Sequence, residues 1–250
     1  MKKTAWLCGF IGLSVIFGIC AVLIGNADTV FPDGSTMPAG AESSVTSPLI
    51  VIDPGHGGED GGCSAADGTL EKDINLLQSQ SLCDMLNAMG IPTVMTRTDD
   101  SMLYDRYGDL EDYTGRKKVY DLKNRIRFSS ESGAVAMISI HMNKFPDGKY
   151  KGTQVYYSPD NDGSTQLADY IQNSVSKNLQ KDNSRLIKKA GSNIYLLNRS
   201  EITSVLCECG FLSNQEETEL LKDGEYREKL SLCIASAAME WLLSPSEQTK

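Results

Sequence analysis

The 250-residue chain contains two histidines, His56 and His141, and each stands where an apolar run gives way to small or polar residues. His56 follows Leu49-Ile50-Val51-Ile52-Asp53-Pro54-Gly55, and His141 follows Ala136-Met137-Ile138-Ser139-Ile140. Such runs predict buried strands. A strand that releases an imidazole into a turn delivers a base or a metal ligand to the carboxyl edge of an α/β sheet. Two carboxylates are candidates to join that site. Glu208 lies within Ser204-Val205-Leu206-Cys207-Glu208-Cys209-Gly210-Phe211, an apolar strand in which an unpaired carboxylate is costly to bury. Alternation puts it on one face with Leu206, and Val205, Cys207 and Cys209 on the other. A buried salt bridge or a general base beside an activated water would each account for it. Glu71 opens a helix, where the macrodipole alone favours an acid. Catalytic zinc often takes two histidines and one glutamate and keeps a fourth position for water. The glycine-rich stretch 55–62 lacks the Lys-Ser/Thr of a phosphate loop, and Glu59 and Asp60 oppose phosphate. Its glycines read instead as letting backbone approach a metal and substrate closely.

Alternating elements must position these groups. Strands are predicted at 49–52, 93–96, 134–140, 153–157, 193–197 and 204–209. Helices are predicted at 71–89, 121–130, 164–179, 215–221 and 225–243, with a polar surface excursion over 99–119. The helix from Glu71 carries the apolar stripe Ile74, Leu77, Leu82, Met85, Leu86 and Met89 and stops at Gly90 and Pro92. This order implies an α/β fold whose mostly parallel sheet is covered on both faces.

The net charge is −9, and without the first 47 residues the remainder carries −8. An acidic domain with no basic stripe argues against nucleic acid as a partner. Lys2-Lys3 precede an uncharged run from Ala5 to Gly25, long enough to span a bilayer. The positive end stays cytoplasmic, so the remainder is exported. Residues 1–25 therefore read as a signal-anchor that holds the protein to the membrane, or as a signal peptide cut near Gly25-Asn26-Ala27. Residues 26–47 read as a flexible tether, 48–244 as the catalytic domain and 245–250 as a tail. The seven cysteines (Cys8, Cys20, Cys63, Cys83, Cys207, Cys209 and Cys233) are odd in number, lack paired spacings and read as free thiols.

Five segments, in order, resemble the zinc N-acetylmuramoyl-L-alanine amidases of the amidase type 3 group. They are Ile52-Asp53-Pro54-Gly55-His56-Gly57-Gly58, Leu70-Glu71-Lys72-Asp73, Met95-Thr96-Arg97, Ser139-Ile140-His141-Met142-Asn143 and Glu208-Cys209-Gly210-Phe211-Leu212-Ser213-Asn214. The resemblance covers residues 48–243. It implies that His56, Glu71 and His141 bind one Zn2+, that Glu208 is the catalytic carboxylate, and that the fold has three α/β/α layers around a twisted, mostly parallel six-stranded sheet. Within the family the chain is most similar to the germination-specific amidases of spore-forming bacteria. Those enzymes strip peptide stems from muramic acid during spore-cortex synthesis, towards muramic-δ-lactam. The resemblance implies peptidoglycan as substrate and a location on the outer membrane face between forespore and mother cell. The absence of a wall-binding module suggests an exported accessory protein. Only Lys144–Lys151 separate the second histidine motif from the next strand, too few for the autoinhibitory helix of other branches. A zinc peptidase or carboxypeptidase, or a non-catalytic wall-binding protein, are the alternative readings. Arg97 and Asn143 fall in matching segments, Arg97 as a structural or substrate-contacting residue.

Overall fold

A computed structural model describes residues 47–244. The anchor, nearly all of the tether and the tail expected from the sequence lie outside the described residues. Among the described residues, no helix is long and apolar enough to cross a membrane. The elements are β1 (Ile50–Pro54), α1 (Glu71–Ala88), β2 (Thr93–Met95), α2 (Lys117–Glu131), β3 (Ala136–Asn143), β4 (Gln154–Tyr157), α3 (Asp162–Asn178), β5 (Lys188–Lys189), α4 (Tyr195–Asn198), β6 (Thr203–Phe211), α5 (Gln215–Lys222) and α6 (Gly224–Leu243). The six strands form one sheet in the order β2-β1-β3-β6-β4-β5. β1 runs parallel to both β2 and β3, and β3 parallel to β6, while β4 is antiparallel to β6 and carries β5 parallel on its outer side.

The period of two along each strand divides the core between the faces of the sheet. Ile50 and Ile52 pack with Ile74, Leu82 and Leu86 of α1, Leu167 and Ile171 of α3, and Leu230 and Ile234 of α6. Val51, between them, packs on the opposite face with Met137 and Leu196, against Ile126 and Phe128 of α2. Burying each such side chain is worth about 1.5–3 kcal/mol, and this is what holds helices on both faces. Asn161, Asn214 and Asp223 start α3, α5 and α6 by accepting a backbone N–H in the first turn.

The strand expected at 193–197 is instead the short helix α4, and the outer strand is β5. Leu196 and Leu197 are adjacent in sequence yet both buried, in separate apolar clusters. A helical turn achieves this, whereas a strand would send one of them outward. The Asn198 amide donates to the carbonyls of Gly191 and Ile194 and closes the turn. β5 consists of two exposed lysines, so no apolar alternation marks it. The excursion before α2 is more than a surface loop. Leu103 is buried with its N–H on Asp121, and Tyr113 stacks edge-on against both Tyr104 and Tyr120. Residues 144–153 carry no helix. Cys63, Cys83, Cys207, Cys209 and Cys233 are free thiols.

Candidate metal centre

The three residues that the resemblance implies as ligands meet at the carboxyl edge of the sheet. His56 follows the end of β1, His141 lies near the end of β3, and Glu71 is the first residue of α1. Glu71 Oε1 is 2.9 Å from His141 Nδ1 and 3.3 Å from His56 Nε2. One donor atom from each of the three residues lies within 4.8 Å of the other two. A tetrahedral ion with bonds of about 2.0 Å requires ligand atoms about 3.3 Å apart, so the set fits zinc. Glu71 is also locked at its other end. Oε2 accepts the Cys63 N–H at 2.8 Å and Oε1 accepts the Met142 N–H at 3.1 Å. These bonds, rather than the macrodipole alone, explain an acid that is only 4% exposed.

His56 has a partner that sequence reasoning missed. Its Nδ1 bonds Asp60 Oδ2 at 2.9 Å, which leaves Nε2 facing Glu71 and His141. Asp60 resembles an ordinary loop acid in the sequence; its four-residue spacing from the histidine across a glycine turn was the available signal. Burial lowers the His56 pKa, but the bonds to Asp60 and Glu71 outweigh it and raise it to about 9. Burial raises the Glu71 pKa, and the two imidazoles more than reverse this, holding it well below the carboxylate range. The field at this point favours positive charge, as a cation site requires. Carboxylates that orient a metal-ligating histidine typically contribute 10–100-fold in affinity. Asp60→Ala is therefore expected to weaken zinc binding by about that factor, measured by competition with a chromogenic chelator. Unchanged affinity would remove Asp60 from this role.

The turn that carries His56 is strained and heavily braced. His56 has φ 62°, in the left-handed region that a non-glycine residue enters at a cost. A Cβ on Gly55 would lie 2.2 Å from the His141 ring, so glycine is required for the two histidine segments to touch. Two buried arginines hold the carbonyls. Arg125 Nη1 donates to Pro54 O at 2.8 Å and Nη2 to His56 O at 2.6 Å. Arg97 donates from Nε to Pro54 O and from Nη2 to Gly55 O, each at 3.0 Å. This makes Arg97 a structural residue. Arg125 also pairs with Asp53 at 2.6 Å and with Asp121 at 2.7 Å. Asp53 accepts from Thr96 at 2.6 Å and from Ser139 at 2.7 Å, tying β1 to β2 and β3. Burial raises the Asp53 pKa, but Arg125 and the two hydroxyls prevail and lower it to about 2.

Glu208 completes the edge. It is directly opposite His141 in the β3–β6 register. As the alternation predicts, Leu206 packs on one face while Val205, Cys207 and Cys209 join the cluster on the other. Glu208 has no cationic partner among the described residues, which removes the salt-bridge reading, and its buried Oε2 has no hydrogen-bond partner. Burial is the main cause of a pKa raised to about 7. A cavity of about 210 Å³ opens beside His56, His141 and Glu208, walled by α2 and by Asn193, Ile194 and Tyr195. The arrangement combines three ligands able to hold a cation with an adjacent unpaired carboxyl poised to exchange a proton near neutrality.

The model of the family described as N-acetylmuramoyl-L-alanine amidase matches residues 50–240. The germination-specific N-acetylmuramoyl-L-alanine amidase of Bacillus subtilis (strain 168) is 30% identical over 240 residues, which are 96% of this chain and 95% of that protein. Among solved structures, the CwlD amidase from Clostridioides difficile, in complex with the GerS lipoprotein, is 39% identical with a TM-score of 0.72, covering 78% of this chain and 98% of that one. An N-acetylmuramoyl-L-alanine amidase from Clostridium difficile 630 is 27% identical with a TM-score of 0.66, covering 79% and 98%. The braced histidine turn, the carboxylate across the register and the match over nearly the whole described domain agree: the chain belongs to the N-acetylmuramoyl-L-alanine amidase family.

Proposed function

We propose that this chain is a zinc-dependent amidase that hydrolyses the bond between the lactyl group of N-acetylmuramic acid and L-alanine. It removes peptide stems during spore-cortex synthesis, on the route to muramic-δ-lactam. The observation that carries the reading is the unpartnered Oε2 of Glu208, set across the register from His141 and beside the His56–Glu71–His141 group. His56 Nε2, Glu71 Oε1 and His141 would hold the zinc ion. When bound there, zinc supplies Lewis acidity and lowers the pKa of nearby water to about 7. Glu208 takes the proton from the attacking water on Oε2 and delivers it to the departing alanine nitrogen. An amide nitrogen leaves poorly unless protonated, and one carboxyl that reaches both the water and the departing nitrogen can serve as base and then as acid. Asp60 keeps His56 Nε2 aimed inward, and Arg125 and Arg97 keep the turn beneath it from relaxing.

The similarity to the Bacillus subtilis germination-specific enzyme supports the cortex role, and the apolar run of residues 5–25 supports export to the outer membrane face, in the space between forespore and mother cell. The similar amidase seen in complex with a lipoprotein supports an exported accessory partner. The test is digestion of purified peptidoglycan by the zinc-loaded full chain in detergent, beside His56→Ala and His141→Ala, with products read by mass spectrometry. Stems beginning with L-alanine and stem-free muramic acid are expected from the wild type only. Both variants are expected to lose zinc and at least 10²-fold in rate. Equal cleavage of glycan-free peptides would instead establish a peptidase.

A further inference from the structure

The carboxyl edge of the sheet continues past the catalytic carboxylate. Next to β6 lies β4, whose Gln154 is opposite Glu208, and beyond β4 lies β5. Because β4 is antiparallel, the residues that precede it, Lys151 to Thr153, stand at the same edge as His141 and Glu208. Because β5 is parallel to β4, Arg185, three residues before it, stands there too. These segments surround a cavity of about 530 Å³, distinct from the one at the histidines. Neighbouring strands are about 4.8 Å apart, so the two steps from β6 to β5 separate Arg185 from Glu208 by about 10 Å measured across the strands.

Arg185 is held as a receptor for an anion would be. Its Nε donates to Lys151 O at 3.0 Å, and its guanidinium carbon is 4.8 Å from the centre of the Phe211 ring. The stacking and the single bond fix the plane of the fork. Neither Nη1 nor Nη2 has a hydrogen-bond or ion-pair partner among the described residues, and neither does Lys151 Nζ. The buried carboxylate in the same wall, Glu217, is already committed: its oxygens accept the N–H groups of Gly152 and Phe211, each at 2.8 Å. It sets the backbone on either side of the cavity. Four basic residues line one cavity, Lys151 and Arg185 with Lys149 (paired to Asp147) and Lys181, against the acids Asp182, Glu216 and the committed Glu217, within a chain whose net charge is −9.

We infer that this cavity is the subsite for an acidic stem peptide, in which the free fork of Arg185, with Lys151 beside it, binds a carboxylate on the second or third stem residue. The inference rests on the proposed amidase activity. An extended peptide advances about 3.3–3.6 Å per residue, so a stem whose first nitrogen departs at Glu208 brings its second and third residues to Arg185. A preorganised arginine fork is the side chain best suited to bidentate recognition of a carboxylate.

The experiment compares two substrates with the zinc-loaded full chain. One is N-acetylmuramoyl-L-alanyl-γ-D-glutamyl-L-lysine. The other is the same compound with the glutamyl α-carboxyl and the terminal carboxyl both converted to carboxamides. The wild type is expected to show kcat/KM about tenfold higher for the acid, through KM. In Arg185→Ala and Lys151→Ala that ratio falls towards 1, and in Arg185→Lys it is intermediate, since charge remains without the fork. Lys151 is exposed and its Nζ has no partner, so its replacement tests the site without risk to folding. A wild-type ratio near 1, or a ratio that the variants leave unchanged, overturns the subsite while leaving the amidase reading intact. Cleavage of neither compound by zinc-loaded protein overturns the amidase reading, and the subsite with it.

Discussion

Glu208→Gln is expected to bind zinc as the wild type does and to lose about 10²–10⁴-fold in kcat, the usual effect of removing a positioned acid–base. The substitution preserves shape and leaves His56, Glu71 and His141 untouched. It removes only the capacity to accept and return a proton. Zinc content by atomic emission and turnover on muramoyl peptides separate the two properties. Turnover within threefold of wild type would assign the proton transfer to another group. The variant has a second signature in the metal-free protein. Burial raises the Glu208 pKa from 4.5 to about 7, so the folded state holds this proton more tightly than the unfolded chain does. The wild type carries no penalty below pH 4.5, loses stability as pH rises from there through 7, and is about 3 kcal/mol worse above it. Glutamine does not titrate. Metal-free Glu208→Gln should therefore unfold at higher urea concentration than wild type at pH 8, and the difference should shrink at pH 5.

The second large effect is structural. Arg125→Met is expected to destabilise the protein by about 3–5 kcal/mol, because it leaves Asp53 and Asp121 buried without their cation. Asp53 and Asp121 are 0% and 3% exposed, so water cannot replace the arginine. Urea unfolding at pH 7 measures this, and a loss below 1 kcal/mol would show that the hydroxyls of Thr96 and Ser139 suffice. The acid limb gives a further check. Asp53, held down from 3.8 to about 2, contributes stability above pH 3.8 that disappears as pH falls through 2. Without Arg125 that contribution should vanish: burial then pushes the Asp53 pKa up instead of down, and the variant's deficit relative to wild type should shrink as pH falls. Zinc affinity should fall as well, since His56 O loses the donor that braces its left-handed backbone.

The histidines and Glu208 were legible because each breaks an apolar strand pattern, and a polar side chain in such a place needs a partner or a task. Glu71 was legible through the motif resemblance, since its position at a helix start has a common electrostatic explanation. The bracing was harder to read. Asp121 and Arg125 are four apart on a helix, the pattern of an exposed ion pair, and burial of both is set by the strand turn that packs across them. Asp53 offered a clue: it follows three apolar strand residues, so a buried cation had to lie nearby. The parallel strands β1, β3 and β6 were visible from their continuous apolar runs. β5 and α4 were not. Two lysines reveal nothing of the backbone pairing that makes them a strand, and the apolar Ile194–Leu197 run fits a strand equally well until Leu196 and Leu197 must each find a cluster.

The sheet order has a consequence for a chain that emerges amino end first. β6 lies between β3 and β4 although β4 is made some fifty residues earlier. Until β6 arrives, β4 and β5 can pair only with each other and β3 has an open edge. The late strand that closes this gap also carries Glu208. Closing the sheet and placing Glu208 at its edge are thus a single event, and long-range pairing of this kind is intrinsically slow. A nascent chain ending before residue 208 holds both histidines and Glu71 yet lacks Glu208.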